Sequence, residues 1–126
     1  MKGVAFNFFF TGVIAVVVGM LWGIQMSIAE DFAMAPAHAH LNLVGWVTFG
    51  LFGVYYFLMP AAAQTRLAMV HFWVALAGLL LMISGLFIYF RGGPDAFVSI
   101  GSTLTAASML IFAYTVFTHG FGRSAA

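Results

Sequence analysis

The sequence predicts an all-α integral membrane protein, a four-helix antiparallel bundle that occupies residues 1–126 as one domain. Three observations predict it. The chain is 64% hydrophobic and 6% charged over 126 residues, a balance that would not keep a water-soluble domain of this size in solution. Apolar stretches of about 20 residues, each enough to cross a hydrocarbon core of roughly 30 Å, recur and together use most of the chain. The connections between them are too short for anything but antiparallel neighbours.

The first helix is expected over about residues 4–28, behind Lys2 and ending at Glu30 and Asp31. Ala33, Ala35 and Ala37 imitate a signal-peptide cleavage site, but the apolar run is longer than a signal core, so it reads as a retained helix. Pro36 suits a first helical turn, where its missing N–H costs nothing, which sets a second helix over about 36–59 that stops at Pro60. Ala61 to Arg66 reads as a short turn, and the third helix covers about 67–90. The run Arg91-Gly92-Gly93-Pro94-Asp95 breaks it, and Asp95 is expected to cap a fourth helix over about 96–118.

Four crossings put Lys2, Arg66 and Arg123 on one side, and Glu30, Asp31, Arg91 and Asp95 on the other. The more basic side is expected to be cytoplasmic. The chain is then a multi-pass protein of a bacterial inner membrane with both termini inside. The net charge of +1, from four basic and three acidic residues, is too small for a nucleic-acid surface. The sequence has no cysteine, which removes disulfides, thiolate metal sites, covalently linked heme and iron–sulfur clusters. Histidine is the best metal ligand left, with eight methionines as weaker candidates.

Ionisable side chains inside membrane helices are costly and mark functional sites. His38 and His40 stand near the start of the second helix, on the side expected to be periplasmic, in the segment His38-Ala39-His40-Leu41-Asn42-Leu43. Positions two apart on an α-helix project in directions about 200° different. One small ion held by one helix wants histidines four apart on a single face, whereas this spacing suits a helix lying between two separate sites. A planar heme with two axial histidines needs its ligands on opposite faces of the ring, hence from different helices. His71 begins the third helix and His119 ends the fourth, so both lie near the other membrane surface, roughly 30 Å away. A second chain would have to complete such a site. Closed rings pair unlike surfaces, setting His38 of one copy against His40 of the next, while a two-fold dimer pairs like with like. Asn42 and Gly45, which follow within two turns, are further candidates for contact with the cofactor.

Arg91 follows the third helix on the same side, where a guanidinium can pair bidentately with heme propionates. The plainer account is an interfacial arginine that snorkels to the headgroups. His71, in His71-Phe72-Trp73, reads as an anchor or packing residue, and His119 is uninformative. Gly45, Gly50 and Gly53, with Gly78 and Gly85, would let a flat macrocycle or another backbone approach closely. Plain helix packing explains them equally. Trp22, Trp46, Tyr55, Tyr56, Trp73 and Tyr89 fit interfacial belts and packing sites.

The run His40-Leu41-Asn42-Leu43, then Trp46, Gly50, Gly53, Tyr55-Tyr56 and Pro60, resembles the second helix of the nitric oxide reductase branch of the heme-copper oxidase catalytic subunit. The match needs a one-residue gap. The His38-Ala39-His40 spacing is similar to the His-x-His of that subunit's tenth helix, whose histidines ligate two different hemes, and His71-Phe72-Trp73 with Gly78 resembles a helix that follows. The resemblance is specific in the second helix, weaker in the third and unsupported in the first and fourth. It implies a homotrimer that rebuilds the family's twelve-helix, pseudo-threefold body from one repeated four-helix arc. It also implies heme b held between His38 and His40 across each subunit boundary, and Arg91 in a connection that carries propionate-binding arginines.

The departures bear on activity. The sequence has no His-Pro-Glu-Val-type segment and no adjacent His-His pair, the elements that hold copper or non-heme iron beside a high-spin heme. Complete oxidase or nitric oxide reductase activity is therefore not expected. Proton pumping is not expected either, because no acidic residue falls in a helix core. The expectation is a heme b membrane cytochrome in the lipid bilayer, a homotrimer or else a dimer, passing electrons to an unidentified redox partner. The rival readings are a non-catalytic accessory or assembly subunit of a respiratory complex, with copper on the histidines, and a gas sensor built on a five-coordinate heme.

Overall fold

The computed structural model describes residues 2–121, so Arg123 lies outside the described residues. Its four long helices are α1 (Gly3–Ala29), α2 (Ala35–Leu58), α3 (Arg66–Phe90) and α4 (Ala96–His119), and each is long and apolar enough to cross a membrane. Each bound falls within one residue of the sequence reading. The chain is thus compatible with a multi-pass membrane protein.

Prolines and turn geometry set the helix ends. Pro36 stands in the first turn of α2. Pro60 opens a single helical turn, Pro60–Ala63, where the sequence suggested only a loop. Both α1 and α3 end with a residue in the left-handed conformation, followed by a backbone N–H that reaches back five residues. Glu30 has φ 53 and Gly92 has φ 90; Asp31 N–H donates to the Met26 carbonyl at 3.1 Å and Gly93 N–H to the Ile88 carbonyl at 2.9 Å. This closes carbonyls that would otherwise be left open at the helix end. Asp95 precedes α4 but makes no side-chain capping bond, which corrects that expectation. The cap lies instead on α3, where Thr65 Oγ1 accepts from the Ala68 N–H at 3.1 Å.

The helices pack in chain order, α1 on α2, α2 on α3 and α3 on α4, with a lighter contact between α1 and α3. Among the described residues there is no substantial α1–α4 interface, so the four form an open strip rather than a closed square. Lipid is as apolar as leucine, and helices in a bilayer associate through close approach at small residues. On α1, Gly12, Ala15, Gly19 and Gly23 lie along one face towards α2. A Cβ at Gly45 would stand 2.8 Å from Ala15 Cβ, and one at Gly53 would stand 2.9 Å from the Phe9 backbone. A Cβ at Gly78 would meet Thr105 at 2.8 Å, and one at Gly101 would collide with the Met82 backbone, which locks α3 to α4. Only 11% of the α4 span is buried, against 33–44% for the other three; α4 is held chiefly by α3 along one face, with Phe52 and Tyr55 of α2 reaching Phe112 near its C-terminal end.

Candidate functional site

His38 and His40 both sit in the short α-helical start of α2, and the structure sends their side chains to different places. His40 is exposed. Its Nδ1 lies 2.7 Å from the Pro36 carbonyl oxygen, and a carbonyl can only accept, so Nδ1 carries the proton. That fixes the tautomer and, among the described residues, leaves the Nε2 lone pair without a partner, the arrangement in which an imidazole serves as a metal ligand.

His38 is half-buried and turned towards α1. Its ring packs edge-on against Trp22, with centroids 6.2 Å apart. A Cβ at Gly23 would stand 3.2 Å from its Cε1. The Asn42 amide donates to His38 Nε2 at 3.5 Å, while His38 Nδ1 and Asn42 Oδ1 are buried without partners among the described residues. Orphaned polar atoms of this kind are uncommon and mark either a function or an unseen partner. The Asn42 oxygen lies where a Cβ at Gly19 would fall. Gly19-Met20-Leu21-Trp22-Gly23 is thus a close-approach motif that makes room for the polar pair on α2.

Directly after His40 the helix changes pitch. Leu41–Thr48 is a π-helix of eight residues, and Thr48 Oγ1 donates to the Leu43 carbonyl, five residues back, at 3.0 Å. Runs of this type are rare and concentrate at functional sites.

The other candidate residues divide by face. Gly45 is buried against Ala15, so its missing side chain serves the close approach of α1. Gly53, Gly78 and Gly85 are likewise taken up by packing within the chain, and Gly50 alone has open space, with Trp46 at 3.8 Å. Arg91 is exposed, with its guanidinium carbon 4.5 Å from the Phe87 ring centroid, and Phe87 faces Trp22 at 6.5 Å. The series Arg91, Phe87, Trp22, His38 places the guanidinium on the α1/α3 side, whereas His40 projects from α2 in another direction. In one chain, His40 and Arg91 do not share a face. Among the described residues, no three His, Cys, Asp or Glu side chains come together as a metal-holding group.

His71 belongs to the opposite end and is fully buried. Its Nδ1 is 2.9 Å from the Tyr56 hydroxyl, and Phe52, Phe8 and Phe112 surround it with ring centroids at 4.5, 4.8 and 5.7 Å. It is a core residue rather than a surface anchor. The same end is closed by the Tyr55 hydroxyl, which donates to the Gly120 carbonyl at 2.6 Å.

The sequence reading missed three features of the site: the π stretch, the Pro36 carbonyl that sets the His40 tautomer, and the α1 glycines that receive His38 and Asn42. Two of them left a signal. Gly19 and Gly23 are four apart, and Pro36 precedes His40 by four, the spacing at which a side chain reaches back to a carbonyl one turn earlier. No protein-family model, curated protein or solved structure matches this chain.

Proposed function

We propose that the chain is a heme b-binding membrane cytochrome that carries electrons, with each iron held where copies of the chain meet. The observation that carries this reading is His40: exposed, its proton fixed on Nδ1 by Pro36, and its Nε2 free. An imidazole in this state would hold a heme iron through Nε2. The His38 ring on another side of α2, with a buried orphaned nitrogen, and the π stretch that starts beside His40 add support. A heme b with both axial positions filled supplies one-electron chemistry and leaves no coordination position for substrate.

The chain's part is to present imidazoles, set their tautomers and exclude water. One chain offers a single outward histidine at this end, so the second ligand comes from a neighbour. In a threefold ring, as the resemblance implies, that ligand is His38 of the next copy, which has to turn out from between α1 and α2. In a two-fold pair, His40 would face His40 of the partner, and the inward turn of His38 supports this second arrangement. Neither arrangement needs Arg91 of the same chain. The charge distribution supports an inner-membrane protein with cytoplasmic termini and the histidines towards the periplasm.

Oxidised and reduced optical spectra of the protein, expressed with ample porphyrin and purified in mild detergent, test the proposal. A Soret band that His40→Ala abolishes is expected. A colourless protein, or full heme retention in His40→Ala, overturns it. His38→Ala separates the assemblies, because heme is lost from a ring and kept by a two-fold pair, and the mass of the purified oligomer must agree.

A further inference from the structure

We infer that the groove between α1 and α3 is a binding site for one zwitterionic glycerophospholipid with a primary ammonium head, of the phosphatidylethanolamine class. The inference is independent of the heme reading. An apolar cleft of about 280 Å³ runs between Val18 and Trp22 of α1 and Leu80 and Ile83 of α3, with Leu41 of α2 as its floor. It shares Trp22, Ile83 and Ser84 with an outer cleft of about 400 Å³ that reaches Phe87 and Ile88. The two form one groove, directed along the helices towards the end where α1 and α3 both terminate. Because α1 and α3 touch each other, the groove is too narrow for a whole helix, whose axis needs 8–10 Å of separation. It suits an acyl chain.

The helix ends beyond the groove supply the charge pattern. Trp22 and Phe87 face each other at 6.5 Å and mark one depth. From there α3 continues four residues to Arg91, about 6 Å, while α1 continues eight residues to Glu30, about 12 Å, at a rise of about 1.5 Å per residue. Along the helix axes the guanidinium, folded back over Phe87 at 4.5 Å, is therefore the deeper charge, and the Glu30 and Asp31 carboxylates stand further out, beyond the residues that line the clefts, with Asp31 Oδ1 also accepting from the Ala33 N–H at 3.1 Å. A phosphoethanolamine head has the same order, with its phosphate next to the acyl chains and its ammonium further out. Arginine is the side chain best shaped to grip a phosphate, and its contact within this chain is an aromatic ring rather than a carboxylate. An anionic lipid without the ammonium would meet Glu30 and Asp31 with like charge.

The test is the lipid that remains with the protein after purification in mild detergent from a membrane containing both phosphatidylethanolamine and phosphatidylglycerol, quantified per chain by mass spectrometry. Retained phosphatidylethanolamine is expected, and Arg91→Gln should lower it roughly fivefold or more, the scale of one lost charge-assisted bond. Ser84→Trp, which fills the groove, should lower it as far. Glu30→Gln combined with Asp31→Asn should abolish the preference over phosphatidylglycerol. Arg91 is exposed, so its variant leaves the fold intact. Unchanged retention in Arg91→Gln, equal retention of both lipids by the unsubstituted protein, or a Ser84→Trp variant that alters oligomer mass but not lipid would each overturn the inference.

Discussion

At one end of the strip, His71 is sealed among Phe8, Phe52 and Phe112 and bonded to Tyr56; at the other, His40 lies on the surface with one nitrogen held by Pro36 and the other free. Both are imidazoles with Nδ1 engaged. The difference is what surrounds Nε2: closely packed rings at the first, open surface at the second. A ring wrapped by four aromatic side chains is part of the core, where its shape matters more than its chemistry. An exposed ring with a fixed tautomer contributes little to packing, so its chemistry is what remains to be used. The backbone shows the same contrast. The His71 end is regular α-helix capped by Thr65, while the His40 end holds the π stretch and a left-handed Glu30; among the described residues, buried polar atoms without partners occur at both ends, His71 Nε2 at the first and His38 Nδ1 and Asn42 Oδ1 at the second.

Truncation at the closed end has the largest expected effect. His71→Ala removes a fully buried ring and leaves a cavity, and by comparison with aromatic truncations it should cost about 3 kcal/mol, read by reversible unfolding in mixed micelles. If it costs no more than His40→Ala, the contrast between the ends is lost. Tyr56→Phe keeps the packing but strips His71 Nδ1 of its partner, and about 1–2 kcal/mol of destabilisation is expected in the same assay.

Two changes at the open end should be smaller. Glu30→Gly relieves a left-handed conformation that disfavours side chains and should stabilise by about 1 kcal/mol, seen as a shift of the same unfolding transition to higher denaturant. A loss of stability would mean that the Glu30 side chain has a role of its own. His40→Ala should stay within about 0.5 kcal/mol of the unsubstituted protein, as surface changes do. A larger loss would place His40 in the fold rather than in the site.

The helix spans were legible because each depends on local composition: apolar runs of spanning length, Pro36 and Pro60, and the Arg91-Gly92-Gly93 break. The divergence of His38 and His40 was also legible, since helical pitch alone sends residues two apart to different sides. Asp95 failed as a cap because the presence of a capping residue type does not ensure the geometry in which its oxygen meets a free N–H. Thr65 has that geometry.

The sequence by itself determined how many helices there are, where they stop, and that only imidazole and thioether are available as soft ligands. Tertiary structure alone decided which imidazole is inward, that Gly45 serves α1, that Arg91 stands on the α1/α3 side, and that α2 carries a π stretch. The reason is the solvent. In water, an apolar stripe on a helix points to the core; in a bilayer both the lipid-facing and the helix-facing sides are apolar, so periodicity no longer says which way a side chain points. Close approach at Gly19, Gly23, Gly45 and Gly101 supplies that direction instead, and it exists only once the helices have met.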